Sequence, residues 1–507
     1  MDQKLPISYN LPTMNPNLRA KYEAVIGIEC HVQLATKSKL FCSCDNDSRT
    51  AEPNTHVCQI CLGHPGALPV LNKRAVELAL QLGLALGADY DRYATSGGLH
   101  IKFDRKNYFY PDLPKGYQIT QFDEPIVPGG AVEFPFEGGT KRVGITRAHL
   151  EGDAGKLTHP EGKDYSLVDL NRAETPLLEI VSEPDMRSPQ EAKAYAQELH
   201  NLARYSGASD ANLYYGNMRF DVNVSVRPVG QKEFGTRTET KNLNSFKAVE
   251  KAAEYEIRRQ IVLVEHGDQV KQETRGWNEA KQQTYAMRSK EDADEYRYFP
   301  EPDVPPLVIT PTMVAQAKAE VGLLPNDLRA ETSSAKLPAA EAEVLISDPA
   351  SALIWHKTVT IDQRQARFAL GWLVGDKVRL AQDTGLPVES SSVTPAVLAE
   401  VGLMVAGGSL SSTNAKALLE HFYAPNVKGS PAEAAKAKSL LQESNEDELA
   451  VVVDNVINAH AQAAADYQAG NQRAFGALVG AAMKATQGKG NPGLITKLLK
   501  SKLDGGN

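Results

Sequence analysis

The sequence predicts an α+β fold class, with strands and helices mixed through roughly the first three hundred residues and helices alone beyond them. Three observations carry that expectation. Apolar and polar residues alternate with period two in several stretches between Val25 and Asn244, as strands with one buried face require. From about Pro311 the composition turns to Ala, Leu, Glu and Ser with helical periodicity and few strand formers. All five cysteines fall between Cys30 and Cys61, which suggests a local brace on the first region. At 507 residues the chain has room for roughly two to four domains.

Bulk properties exclude several classes. With 42% hydrophobic and 23% charged residues the composition is that of an ordinary globular protein, and the net charge of −8 argues against nucleic-acid binding by the whole surface. A local basic patch stays open. No apolar run approaches the ~18 residues of a membrane span. Residues 1–21 lack a signal-peptide core and the Arg/Ser-rich pattern of a transit peptide. They read as a loose N-terminal arm on a cytoplasmic protein.

The first predicted strand, Val25 to Leu34, turns Ile26, Ile28, Cys30, Val32 and Leu34 to one face and Glu29, His31 and Gln33 to the other. An acid and an imidazole on the polar face of an otherwise buried strand suit metal ligation or proton transfer. Next come Cys42-x-Cys44 and Cys58-x-x-Cys61, two short knuckles with the spacing of a tetrahedral Zn²⁺ site. Four unrelated thiols are the alternative, and the paired spacing argues against it. Four protein ligands leave no open position, so this zinc is expected to be structural. Lys73 to Leu86 reads as a buried helix, with Asn72 as cap and Gly87 as stop. Lys102 to Gln118 mixes cations with aromatics, and Pro111, Pro114 and Gly116 exclude a regular helix. By composition it is equally a solvated loop with a hydrophobic anchor or a loop presenting cations to phosphates.

Gly129-Gly130 and Gly138-Gly139 flank a short hairpin-like segment. Beyond it Arg147, His149, Glu151 and Asp153 share one strand face, and Glu179 stands alone in an apolar run, which is costly for a carboxylate unless it is paired or binds a cation. Pro189 to Tyr205 is a helix entered through Ser188. Then Arg219, Asp221, Asn223, Ser225 and Arg227 alternate with Phe220, Val222, Val224 and Val226, and a second polar strand runs from Thr236 to Asn244. A sheet with one wet face would explain each stretch singly. The recurrence of Glu29, His31, His149, Glu151, Asp153, Glu179, Asp221 and Glu239 points further, to a cleft for Mg²⁺–nucleotide chemistry. Hard oxygen ligands there take the metal and cations the phosphates. Neither a P-loop nor a kinase Gly-rich loop is present.

Ala248 to Glu265 reads as a long charged helix, and Asp292 to Pro306 as an extended, proline-rich closing edge. In the helical part Trp355 and Trp372 are expected in the core. The end of the chain splits by charge. Pro431 to Gln472 carries two lysines against seven acids, whereas Arg473 to Asn507 carries six cations against one acid. On charge alone that tail is equally a solvated helix face or an RNA-docking patch.

Several runs together are familiar. They include Val25-Ile26-Gly27-Ile28-Glu29-Cys30-His31-Val32, the run Phe103 to Asp112, Glu151-Gly152-Asp153-Ala154-Gly155-Lys156, and Ser166 to Arg172. Lys241-Asn242-Leu243-Asn244-Ser245 and Tyr296 to Asp303 continue the match. From about Tyr22 to Leu503 the chain resembles the B subunits of the bacterial aspartyl/glutamyl-tRNA amidotransferases. The resemblance implies a cradle domain over residues 22–310 with a mixed or antiparallel sheet similar to the catalytic fold of glutamine synthetase. Helical domains over 311–430 and 431–507 follow. It also implies ATP-dependent conversion of Glu-tRNA(Gln) or Asp-tRNA(Asn) to the amide, through phosphorylation of the side-chain carboxylate. The ammonia would come from a glutamine-hydrolysing amidase partner, tied on by a small linking partner in a heterotrimer.

Matched residue by residue, His31, Glu151 and Glu179 are the expected Mg²⁺ ligands, with Glu29 and Asp221 nearby. Lys106 and Lys115 would lie along the ammonia path or against the acyl phosphate, and Glu151 or Asp153 would take a proton from ammonium. Arg105, Arg219, Asp221, Arg237 and Lys241 are expected to hold the nucleotide. Cys42, Cys44, Cys58 and Cys61 are expected to hold zinc, and Lys489, Lys497 and Lys500 to touch tRNA. A zinc-braced, non-catalytic tRNA adaptor is the rival reading, and a free-standing amino-acid ligase a third.

Overall fold

The computed structural model describes residues 15–289, 296–442, 446–486 and 490–505. The described residues open with one helical turn, α1 (Pro16–Arg19), capped by Asn15, and run into β1 (Tyr22–Gln33). Residues 16–19 thus belong to a folded element, against the expected loose arm, because Leu18 packs on the core. Residues 1–14 lie outside the described residues. After the cysteine-bearing loop come α2 (Lys73–Ala85), β2 (Leu99–Ile101), β3 (Asp104–Asn107), β4 (Tyr117–Thr120), β5 (Gly130–Phe136), β6 (Gly139–Gly152), β7 (Lys156–Thr158), β8 (Leu167–Asp169) and β9 (Pro176–Ser182). The region continues with α3 (Pro189–Tyr205), β10 (Met218–Pro228), β11 (Thr238–Leu243), α4 (Phe246–Glu265), β12 (Glu273–Asn278), β13 (Gln283–Ser289), β14 (Phe299–Pro300), β15 (Leu307–Ile309) and α5 (Pro311–Glu320).

Eight of these strands form one mixed sheet in the order β13-β12-β11-β10-β1-β9-β6-β5. Only β11 and β12 run parallel; the other neighbours are antiparallel. The period-two patterns set the register. Ile26, Ile28 and Cys30 lie opposite Val224, Val222 and Phe220, so the apolar halves of β1 and β10 fall on one face. With Leu178 and Ile180 of β9 and Ala148 and Leu150 of β6 they form the centre of the core. Each buried Ile, Val, Leu or Phe contributes about 1.5–3 kcal/mol by leaving water, which makes a one-residue slip of register prohibitive. Helices α3 and α4 pack on this face and on each other. Ser188 and Ser245 cap them through hydrogen bonds from Glu191 N (3.1 Å) and Ala248 N (3.0 Å).

The Lys102–Gln118 stretch is not one loop. Asp104–Asn107 and Tyr117–Thr120 pair as β3 and β4, with β14 on the free edge of β3, and the prolines and Gly116 occupy the connection. The chain divides into two compact units, the first ending at Pro325 and the second beginning at Asn326. Helix α5 packs on α2, so the first unit continues past residue 310. The second unit is helical from the Pro325–Ser334 helix to the Pro492–Asp504 helix. Trp355 and Trp372 are buried in it. Its last four helices share a small core around Leu449, Val453, Leu478, Ile495 and Leu499. No described helix is long and apolar enough to cross a membrane.

Candidate functional site

The face of the sheet opposite α3 and α4 is polar because the other parity of each strand is polar. Cross-strand pairing carries that parity sideways. His149 on β6 lies opposite Glu179 on β9, Glu179 opposite His31 on β1, and His31 opposite Arg219 on β10. His31 Nε2 is 3.3 Å from Glu179 and 3.7 Å from Glu151, and His149 Nε2 is 3.8 Å from each of the same carboxylates. Two residues back along β1, Glu29 lies opposite Asp221, and Asn223 lies opposite Glu239 on β11. Two groups of ligand atoms result: His31, Glu151 and Glu179, and Glu29, Asp221 and Glu239, the atoms of each within 4.8 Å of one another.

Both groups line a cleft of about 450 Å³ together with Lys106, Tyr108, Arg147, Asp153, Arg219, Arg237 and Lys241. The Lys241 ammonium bridges the second group, 3.5 Å from Asp221 and 3.7 Å from Glu239. Asn242 takes a left-handed conformation (φ 60°), which a short polar side chain tolerates, and its N–H donates to Asp221 at 2.8 Å. The Lys106 ammonium sits 4.7 Å from the Tyr296 ring and 5.9 Å from the Tyr108 ring, a cation–π setting that keeps a cation over the carboxylates.

Burial and charge set the protonation states. Burial penalises the charged form of His31, but its hydrogen bond to Glu179 and the neighbouring carboxylates prevail and raise it to about 9. Burial takes His149 the other way, down to about 4. Burial and the adjacent Glu179 charge push Glu151 up to about 7. Burial also works against ionisation of Glu179, yet the flanking His149 and His31 imidazoles hold its carboxyl far below the usual range. In Asp153 burial is overcome by Arg172 and Arg219, at 2.6 and 3.3 Å, which hold the carboxyl below the usual range.

The first group fits a hard divalent cation. Ligands around an octahedral ion bound at ~2.1 Å stand ~3–4 Å apart, as the imidazole and carboxylates here do, and His149 Nδ1 and Arg147 Nε in the same wall are buried without a hydrogen-bond partner among the described residues. The four cysteines also fit their expected ion. Their sulfurs converge within 4.8 Å, none is in a disulfide, and Cys58 and Cys61 Sγ are 3.9 Å apart. Tetrahedral thiolates at ~2.3 Å from zinc stand ~3.8 Å apart. Hydrogen bonding from Cys42 pulls the Cys61 thiol down to about 4 while Cys42 itself is raised.

Lys115 and Arg105 lie outside the cleft lining. Lys115 is nearly fully buried in an ion pair with Glu174 at 2.9 Å, beside the Phe41 ring, because Gly152 leaves room for Glu174 where a Cβ would stand 2.5 Å from its carboxylate. Arg105 is tied to Glu301 at 2.7 Å and Asp303 at 3.2 Å over the Tyr117 ring, so it braces β3 against the chain after β14. Asp153 lines the cleft but is held by two arginine partners, Arg172 and Arg219. Of the tail lysines, Lys497 and Lys500 are exposed on the Pro492–Asp504 helix and Lys497 is 3.8 Å from Glu446; Lys489 lies outside the described residues.

Sequence reasoning passes over other members. Tyr296 and Tyr298 reach the cleft wall from nearly two hundred residues beyond Lys106, and Gln118, Thr120 and Gln121 reach it from β4 and the residue after it. Nothing local marks the tyrosines. Glu239, by contrast, is among the acids whose recurrence in the strands points to the cleft, and it completes the second ligand group.

Comparison with known proteins adds the kinship. Residues 24–315 match the GatB/GatE catalytic domain and residues 356–503 match the GatB domain. The chain is 45% identical over 484 residues to the aspartyl/glutamyl-tRNA(Asn/Gln) amidotransferase B subunit of Thermoanaerobacter pseudethanolicus, covering 95% of this chain and 99% of that protein. It is 46% identical over 479 residues to the protein of the same name in Agathobacter rectalis, 94% and 98% covered. It is 44% identical over 494 residues to the chloroplastic/mitochondrial glutamyl-tRNA(Gln) amidotransferase B subunit of Physcomitrium patens, 96% and 86% covered.

Proposed function

This chain belongs to the family of amidotransferase B subunits, whose members serve a ligase-type enzyme, and on that premise we propose that its cleft amidates aminoacyl-tRNA at the expense of ATP. The substrate is Glu-tRNA(Gln), Asp-tRNA(Asn) or both. A carboxylate is a weak electrophile, so its conversion to an acyl phosphate supplies a leaving group. A side-chain carboxylate oxygen attacks the γ-phosphorus of ATP and ADP leaves. Ammonia then attacks the acyl carbon, phosphate leaves, and the nitrogen gives up a proton to form the amide.

The observation that carries this reading is the spacing of the two ligand groups. His31 and Glu29 head them one pleat apart on β1, which suits an acyl carboxylate and a nucleotide phosphate chain held end to end. Mg²⁺ in these groups would neutralise the charge that develops on phosphate. Lys106, Arg219, Arg237 and Lys241, which line the cleft, would orient phosphate oxygens. Glu151 is a better proton acceptor than Asp153, which its arginines hold ionised. Beyond Glu29 the cleft face continues into a cavity of about 460 Å³ lined by Val25, Gly27, Val181 and Phe234, room for a nucleotide base. A mixed sheet with one reactive face suits the glutamine synthetase-like cradle of residues 22–310. Zinc at the four cysteines would brace it. An amidase partner, joined through a small linking partner, would supply ammonia, and the 431–507 tail would meet tRNA through Lys497 and Lys500. A non-catalytic adaptor would need none of the carboxylates that meet in the cleft.

The test is reconstitution with the amidase, the small linking partner and each mischarged tRNA, scoring amide formation and ATP hydrolysis. Amide formation that needs tRNA, ATP and this chain supports the reading. ATP turnover on free glutamate without tRNA would replace it with a free-standing ligase.

A further inference from the structure

A second pocket opens on the same face of β1, at its other end. Gln33 is two residues beyond His31, so its side chain emerges ~7 Å further along the same strand face. It lines a polar pocket of about 140 Å³ with Asn46, Arg49, Arg172, Tyr215 and Asn217. The wall between this pocket and the cleft is the Arg172–Asp153–Arg219 network. The face of β1 therefore carries four stations in order: the cavity at Gly27, the group of Glu29, the group of His31, and the pocket at Gln33.

We propose that the Gln33 pocket seats the unpaired 3′-terminal nucleotides of the aminoacyl-tRNA, with Tyr215 and Tyr214 as stacking platforms. The inference rests on the proposed amidation and deepens it by placing the substrate's end. If the side-chain carboxylate lies at His31, the ester oxygen of an attached glutamate is five bonds away, ~6 Å when extended. That distance brings the terminal ribose to Gln33. The nucleotide that supplies phosphate is accommodated at the opposite end, where the larger and more apolar cavity adjoins the second ligand group.

The tyrosines support this on their own account. Tyr214 is 88% and Tyr215 54% exposed, and large exposed aromatics on a fixed turn contribute little to folding. The turn is fixed: Tyr214 N and Tyr215 N both donate to Asn212 Oδ1, at 3.0 and 3.2 Å, and Asn217 N donates to Asn212 O at 3.0 Å. The two rings meet at 77° with centroids 5.1 Å apart, an arrangement that offers faces to two successive splayed bases. Arg49 lies 5.5 Å over the Tyr215 ring. It is also held by Asp47 at 2.6 Å, which makes the pocket nearly neutral and suits a nucleoside better than a polyphosphate. Asn46 and Asn217 each leave a buried side-chain oxygen without a hydrogen-bond partner among the described residues, acceptors that a base amino group or ribose hydroxyl would complete with a small shift.

The experiment measures binding of the full chain to a tRNA(Gln) transcript with and without its 3′-CCA. Wild type should bind the complete transcript about tenfold tighter. Tyr214→Ala with Tyr215→Ala should abolish that difference and leave affinity for the truncated transcript unchanged, and the double Phe variant should restore it. Independently of any variant, 2-aminopurine in place of the terminal adenine should be quenched on binding to wild type. Indifference of wild type to the CCA end, equal loss of both transcripts in the Ala variant, or an unquenched probe would overturn the proposal. A reconstituted wild-type enzyme that amidates, together with an Ala variant of unchanged KM for aminoacyl-tRNA, sinks this inference alone; a wild type that amidates no mischarged tRNA sinks the functional reading beneath it.

Discussion

The first unit holds two ligand clusters of opposite design. The cysteine cluster gathers four soft sulfurs from a stretch of twenty residues, Cys42 to Cys61. The cleft gathers imidazole and carboxylates from β1, β6, β9, β10 and β11, more than two hundred residues apart. Four thiolates close a tetrahedron and leave no position for a reactant. One imidazole and two carboxylates on an open face leave positions free for phosphate oxygens and water. On the proposed reading the contrast separates a brace from a reaction centre, and it predicts that the two fail in different ways when altered.

The largest effect is expected in the cleft. His31→Ala with Glu151→Gln should lower tRNA-dependent ATP hydrolysis and amidation by about 10³-fold or more, with tRNA affinity nearly unchanged. Retained turnover would reduce the cleft to an ion-pair network. The knuckle should behave in reverse: Cys58→Ser with Cys61→Ser, or chelation of the metal, should lower the melting temperature of the first unit by roughly 10 °C, while turnover per folded molecule in the cold falls only a few-fold. Loss of turnover without loss of stability would contradict the division of labour.

Proton release sharpens the contrast. His31 at about 9 is protonated at pH 8 in the metal-free protein and must be neutral to ligate. Mg²⁺ binding at pH 8 should therefore release about one proton, and affinity should fall about tenfold per pH unit from 9 to 7, and more steeply below, where Glu151 protonates too. Calorimetry in buffers of different ionisation enthalpy measures this. The same raised pKa means that the His31 contribution to stability without metal is full below about 6.5 and is lost as pH rises through about 9. Zinc should displace at least two protons, from the raised Cys42 and Cys44 thiols. The smallest effects belong to the second unit, where Lys497→Ala and Lys500→Ala should each weaken tRNA binding a few-fold and lower its salt slope by about one.

The two clusters also differ in how far they are legible in advance. The knuckle lies in spacing, and spacing is sequence. The strand faces are legible too: Ile26, Ile28 and Cys30 against Glu29 and His31 follow from the pleat, and Ser188 and Asn72 cap the helices expected of them. Reach is what the chain order conceals. Lys115 and Arg105 sit in a cation-rich stretch and resemble cleft residues, but pairing of β3 with β14 turns Arg105 toward Glu301, and Glu174 takes Lys115 into the interior. Tyr296 and Tyr298 stand in a stretch that reads as a closing edge, and they line the cleft instead.

By itself the sequence determined the alternation that makes one face of each strand apolar, the caps that start the helices, the cysteine spacing and the change to helices after Pro311. Those are local properties, fixed by the pleat, the helical turn and the reach of a few residues. The tertiary structure alone decided which strands stand side by side, and hence that His31 meets Glu179 and Glu151 while Glu29 meets Asp221 and Glu239. Strand order depends on how the apolar faces bury against α3 and α4 and on long crossovers that no local pattern encodes. The chemistry-bearing face is the other side of that burial.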